Sequence, residues 1–195
     1  MSGWRALVTP LAILLLVAPL GAQEAEEGAE TKAKEVAIAE AMSAAPEALA
    51  ENATILDWEG NVLREGTNEY TCFPTPPGFA GEAPMCLDGP WMKWAEAWQN
   101  KADLTIEEPG IAFMLGGDTG ASNTDPYATD PDAVDDWVDA NDHLMLLLSD
   151  PAAYDALPTD PSYGGPWVMW KGTPYVHVMI PTGEVEYEGE AVSGN

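Results

Sequence analysis

His143 with Met145 and His177 with Met179 stand out by residue type and spacing, each pair lying two residues apart. On a strand that spacing projects both side chains from one face. Imidazole with thioether is a soft donor set suited to Cu(I), so a copper site is one expectation. The favoured expectation places these residues in a core, each imidazole hydrogen-bonded, because His and Met in alternating apolar strands fill interiors. Hard donors gather elsewhere. The segment from Asp118 to Asp136 carries Asn123, Asp125, Asp130 and Asp132, whose oxygens suit Ca²⁺, although the ordered acids, central Gly and terminal Glu of an EF-hand loop are missing. Solvated turn aspartates are the favoured account of this segment, and no cofactor is expected.

A carboxylate with a proton to share is the next candidate. Asp118 to Ser122 read DTGAS, which resembles the active-site motif of pepsin-like and retroviral aspartic proteases. That resemblance implies a pair of carboxylates sharing one proton, each leaving an apolar strand. Here Gly116 and Gly117 occupy positions where that family has apolar residues, and no second DTG or DSG follows. An ordinary turn at Asp118 is therefore the stronger expectation. Ser43, Ser122, Ser149, Ser162 and Ser193 lack a GxSxG elbow, so serine chemistry would need His143 or His177 brought close by folding. The catalytic candidates are thus Asp118, His143 and His177.

These side chains must be positioned by short elements. Ala53 to Trp58 and Val62 to Arg64 are β-prone runs around a Glu59-Gly60-Asn61 turn, and Glu69 to Phe73 is a further strand carrying Cys72. A proline-rich loop from Pro74 to Pro84 leads to Met85 and Cys86. Asp88 suits the N-cap of a helix over Pro90 to Lys101, on which Trp91, Trp94, Ala95 and Trp98 form one aromatic face. That face is expected to pack on a sheet, with an exposed aromatic platform as the alternative. Gly110 to Leu115, His143 to Leu148, Trp167 to Trp170 and Tyr175 to Ile180 read as strands, and Asp118 to about Asp135 as a long loop. Asp125, Asp130, Asp150 and Asp160 each follow Ser or Thr and precede Pro, where an Asp side chain bonds nearby backbone.

Ser43 to Glu47 (SAAPE), Gly66-Thr67-Asn68, Thr71 with Cys72, and Pro84 to Asp88 (PMCLD) together resemble a family of uncharacterised exported bacterial proteins. The resemblance is best over residues 36–90. It implies export and a bacterial origin, and no activity or ligand.

Export is also written at the start of the chain. Arg5, the apolar run Ala6 to Leu20, and the small residues Gly21 and Ala22 have the order of a secretory signal peptide over residues 1–22, with cleavage after Ala25 as the alternative. A disulfide between Cys72 and Cys86 is expected in an oxidising compartment, periplasmic or extracellular. The 33 acids against 7 bases give a net charge of -26, which argues against nucleic acid and, once the leader is removed, against anionic membranes. The partner, whether small molecule, metal ion or protein, stays open. The expected organisation is a flexible acidic leader over 23–35, one globular domain over 36–182 and an acidic tail over 183–195. Its fold class is α+β, with an antiparallel sheet of about five or six strands covered by the Trp-bearing helix and preceded by an N-terminal helical leader. Its expected role is non-catalytic binding or accessory work. Metal binding and a hydrolase, including a remote aspartic-protease-like site at Asp118, are the alternatives.

Overall fold

Short β-prone runs broken by Gly, Pro and Asp favour a sheet of brief strands over long helices. The computed structural model bears this out and describes residues 20–79 and 81–187. The signal peptide expected over residues 1–22 falls mostly outside the described residues. The chain divides into two compact units, 1–33 and 34–195. In the first, the described residues belong to helix α1 (Leu20–Ser43). Residues 23–35, expected to be a flexible leader from their lack of apolar periodicity, are helical, and the N-terminal helix of the expected fold is present. Ala, Glu, Lys and Gln dominate there, and these are strong helix formers.

In the second unit the end of α1 leads to α2 (Glu47–Ala50) and then to β1 (Thr54–Leu56) and β2 (Val62–Arg64). Asp57 closes the turn between these strands by accepting the amides of Glu59 at 3.0 Å and Asn61 at 2.8 Å. Strands β3 (Thr71–Phe73) and β4 (Met85–Leu87) follow, then α3 (Gly89–Gln99). The Asp88 carboxylate caps α3 by accepting the Trp91 amide at 3.0 Å, with Pro90 in the first turn. The remaining strands are β5 (Gly110–Met114), β6 (Ala121–Ser122), β7 (Trp137–Asp139), β8 (His143–Leu147), β9 (Trp167–Met169), β10 (His177–Pro181) and β11 (Glu186–Tyr187).

The fold is α+β, but its strands outnumber the five or six expected. Eight form one sheet in the order β2-β1-β3-β4-β5-β8-β10-β9, and three form a second in the order β11-β7-β6. Pairing is antiparallel except between the adjacent strands β1 and β3, which run parallel, with β2 outside β1 at the sheet edge. Two strands of the second sheet, β6 and β11, lie in segments expected to be loop and tail, and β7 lies just beyond that loop. The strands of this sheet have two or three residues, too few for an alternating pattern to register. The long loop after Asp118 accordingly contains β6 and a 3₁₀ turn at Pro131–Ala133, and β11, within the segment expected to be a tail, pairs with β7.

Cys72 and Cys86 are direct cross-strand partners on β3 and β4, with Cα atoms 4.0 Å apart, and the expected disulfide joins them. One face of the large sheet carries Phe73, Leu87, Ala112, Leu147, Met179 and Met169 beneath Trp91 and Trp94 of α3. The opposite face has two separate cores. Ala41, Ala44 and Ala50 cover Ile55, Cys72 and Cys86, while Tyr154 covers Val168 and Val178. Among the described residues, no helix is long and apolar enough to cross a membrane.

Candidate functional site

The β8–β10 register explains how the His-x-Met pairs are disposed. Met145 pairs with Met179 and His143 with Pro181, so all four side chains share one sheet face, with the thioethers central and the imidazoles towards opposite ends. His177 is 2% exposed and its Nδ1 lies 3.0 Å from the Tyr175 carbonyl. Trp91, Trp94 and Trp170 surround its ring edge-on, with centroids 5.5, 5.5 and 5.1 Å away. Burial lowers its pKa to about 4 and the charge of His143 acts in the same direction, against the pull of the Tyr175 carbonyl. It is a neutral core histidine. His143 is equally buried, and its Nδ1 lies 2.7 Å from the Asn141 carbonyl. A carbonyl oxygen only accepts, so both rings carry a proton on Nδ1, and neutral His177 keeps its lone pair on Nε2. Met145 and Met179 pack into the tryptophan core.

Asp118 lies half-buried in the loop between β5 and β6. Its Oδ1 accepts the Thr119 amide at 2.8 Å. Burial pushes its carboxyl above the usual range and the charge of Asp139 pushes the same way, while His143 and the amides of Gly120 and Thr119 pull it back. Asp118, His143 and Asp139 therefore form one electrostatic group at the end of β7, the start of β8 and the loop leaving β5. The glycines that depart from the protease pattern have packing reasons. A side chain at Gly116 would collide with Ser43 and Pro84, and Gly117 has φ of 112°. Ser122 of the same pentapeptide is fully engaged. Its hydroxyl donates to Asp136 Oδ1 at 2.8 Å and accepts the amide of Asp125 at 2.9 Å.

The aspartates proposed for calcium turn towards their own backbone. Asp125 accepts the Tyr127 amide at 2.9 Å, and Asp130 accepts the Asp132 amide at 3.1 Å. Asp150 and Asp160 repeat the pattern with Ala152 and Ser162, so the Asp-Pro turn chemistry holds at all four positions. Asp132 is exposed within the 3₁₀ turn. Among the described residues, no group of three or more His, Cys, Asp or Glu is placed to hold a metal ion.

No family model, curated protein or solved structure matches the chain. The geometry therefore stands alone.

Two features escaped the sequence pattern. Asn123 is a buried hub. Its amide donates to Asp136 O at 2.9 Å and its Nδ2 to Thr159 O at 3.0 Å. It accepts Trp170 N at 2.9 Å and Trp167 Nε1 at 3.0 Å. A single buried Asn between turn aspartates carries no pattern that would mark it. The second feature is how far the aromatic face of α3 extends. Trp94 stacks on Trp170 at 5.6 Å, Trp98 on Trp94 at 6.3 Å, and Tyr127 on Trp98 at 6.1 Å, with Lys101 Nζ 4.5 Å from the Tyr127 ring. The face packs on the core, as expected, and its outer end is closed by a cation. Beside α3, Pro90, Lys93, Leu104, Ile106 and Leu147 line a cleft of about 30 Å³, room for a water or two and far below what an organic substrate needs.

Proposed function

We propose that this chain is an exported bacterial accessory domain that binds a partner without transforming it. The observation that carries this reading is the engagement of its reactive side chains. His177 is neutral among three tryptophans, the Nδ1–H of His143 is held by a carbonyl, and the Ser122 hydroxyl is tied to Asp136. The Cys72–Cys86 disulfide, the leader-like residues 1–22 and the resemblance carried by SAAPE, GTN and PMCLD support export. The carboxylate excess supports a basic or cationic partner over nucleic acid or an anionic membrane.

An acid–base hydrolase is the second reading, favoured by one observation, the raised Asp118 carboxyl in the field of His143. Two measurements separate the readings. Expression with the native leader should yield an exported form whose mass begins at Gln23 or Glu26, and an intact leader on cell-retained protein would refute export. A panel of peptide, ester, glycoside and phosphoester substrates at pH 4 to 7 should show no turnover, and turnover abolished by Asp118→Asn would establish the hydrolase.

A further inference from the structure

Among the described residues, the second face of the large sheet has a gap in its cover. The alanines of α1 and α2 lie over β1, β3 and β4, and Tyr154 lies over β9 and β10. Strands β5 and β8 run between these covers, pairing Ile111 with Leu146 and Phe113 with Leu144. These four side chains share the second face, since Phe113 meets Tyr70 beside the alanine core and Leu146 packs next to Val178. Ile111 is 41% exposed, and Phe113, Leu144 and Leu146 are each partly exposed. Neither Ile111 nor Leu144 belongs to any of the core clusters among the described residues. Two strand spacings make the uncovered width about 10 Å, which is the diameter of one α-helix with its side chains.

The border of this strip is acidic. Burial holds the Tyr70 phenol above its usual range, and the nearby charges of Asp88 and Glu69 push the same way. Asp88 also accepts the Ile111 amide at 2.6 Å, but its other oxygen caps α3, so this carboxylate lies on the α3 side of the sheet, and Glu69 is the acid at that end of the strip. At the opposite end, exposed Asp142 precedes β8. Neither Glu69 nor Asp142 has an ion-pair partner among the described residues, whose single salt bridge is Lys171 with Asp155.

From this arrangement we infer that the strip of Ile111, Phe113, Leu144 and Leu146 docks a cationic amphipathic helix of a partner protein. The apolar stripe of that helix lies in the gap, and its Lys and Arg flanks meet Glu69 at one end and Asp142 at the other. A second copy of this chain fits less well, because each copy carries a net charge of -26. The inference rests on the reading of the chain as a binding domain and names the surface and the chemistry of its partner.

The probe is a labelled Leu/Lys peptide with one helical apolar stripe, compared with a scrambled isomer of the same composition. Fluorescence anisotropy should show the amphipathic peptide binding roughly tenfold tighter than the scrambled one, because only the former presents apolar contacts together. Ile111→Asp is diagnostic, since it adds an acid while removing an apolar contact. Binding should weaken roughly tenfold despite the added charge, and Val62→Asp, on the outer edge strand, should leave it unchanged. Glu69→Lys, on an exposed turn, supplies a second variant and should weaken binding severalfold. Unchanged or tighter binding by Ile111→Asp would overturn the strip while leaving the binding reading in place. Self-association in sedimentation that Ile111→Asp disperses would assign the strip to a second copy and also overturn the proposal. Substrate turnover dependent on Asp118 would overturn the broader reading instead.

Discussion

Beneath α1 and α2 the core consists of Ala41, Ala44, Ala45, Ala50 and Ala53 around Ile55 and the Cys72–Cys86 bridge, whereas beneath α3 it consists of Trp91, Trp94, Trp167, Trp170 and Tyr175. Each large aromatic buries about 150–250 Å², several times what an alanine can contribute. The alanine side gains close approach of helix and sheet in exchange for area. It is held by a covalent link and by Arg64, whose guanidinium donates to the Ala50 carbonyl and to the Ala53 carbonyl at 3.1 Å. The tryptophan side is held by area and by indole N–H bonds, such as Trp94 Nε1 to Tyr175 O at 3.2 Å and Trp170 Nε1 to Ser122 O at 2.7 Å. One sheet therefore joins a region stabilised through its unfolded chain to a region stabilised through its native packing.

The largest expected effect falls on the packed side. Trp91 is 1% exposed and its buried Nε1 has no hydrogen-bond partner, so truncation removes packing and leaves little polar debt. Trp91→Ala should destabilise by about 4 kcal/mol, read as a lowered urea midpoint. Loss below about 1 kcal/mol would mean that α3 is not the chief anchor of this core. On the alanine side the comparable change is Cys72→Ala with Cys86→Ala. The bridge closes a loop with a sequence separation of 14. Its removal should cost about 3 kcal/mol by loop entropy. The same substitutions in a Trp91→Ala background test whether the regions are independent, since additive losses are expected for distant sites without shared partners.

The same contrast explains what could be read from the sequence. The Trp face of α3, its Asp88 cap and the cysteine pair were legible because each rests on a local rule, helical spacing or capping or export chemistry. The Asp-Pro turns were legible because an Asp bonds the amide two residues on, whatever the fold. The small sheet was not, because β6, β7 and β11 are defined by partners distant in sequence and not by their own composition. The same holds for the grouping of Asp118 with His143 and Asp139, which depends on three strand ends converging. His177 fitted the core expectation, but its tryptophan cage joins residues from α3 and from the segment after β9.

That cage gives the smallest and most selective of the expected effects. The folded pKa of His177 is about 4, below the 6.5 of an unperturbed histidine. The unfolded chain therefore binds the proton first as pH falls, so stability is complete above about pH 6.5 and declines towards pH 4. At pH 5 the loss should be about 2 kcal/mol, from the unfolded chain being protonated while the folded ring is not. Two effects run the other way. Protonation of surface carboxylates relieves repulsion in a chain of net charge -26, and the raised Asp118 carboxyl takes up its proton in the folded state first. A raw pH profile mixes these contributions, so the difference between wild type and His177→Gln is the useful quantity. His177→Gln should lower stability at pH 7.5 but lose about 2 kcal/mol less than wild type between pH 7.5 and pH 5, measured by urea denaturation. Parallel losses in the two proteins would show that His177 titrates normally. The tryptophan cage would then admit water, and the contrast between a packed side and a cross-linked side would weaken.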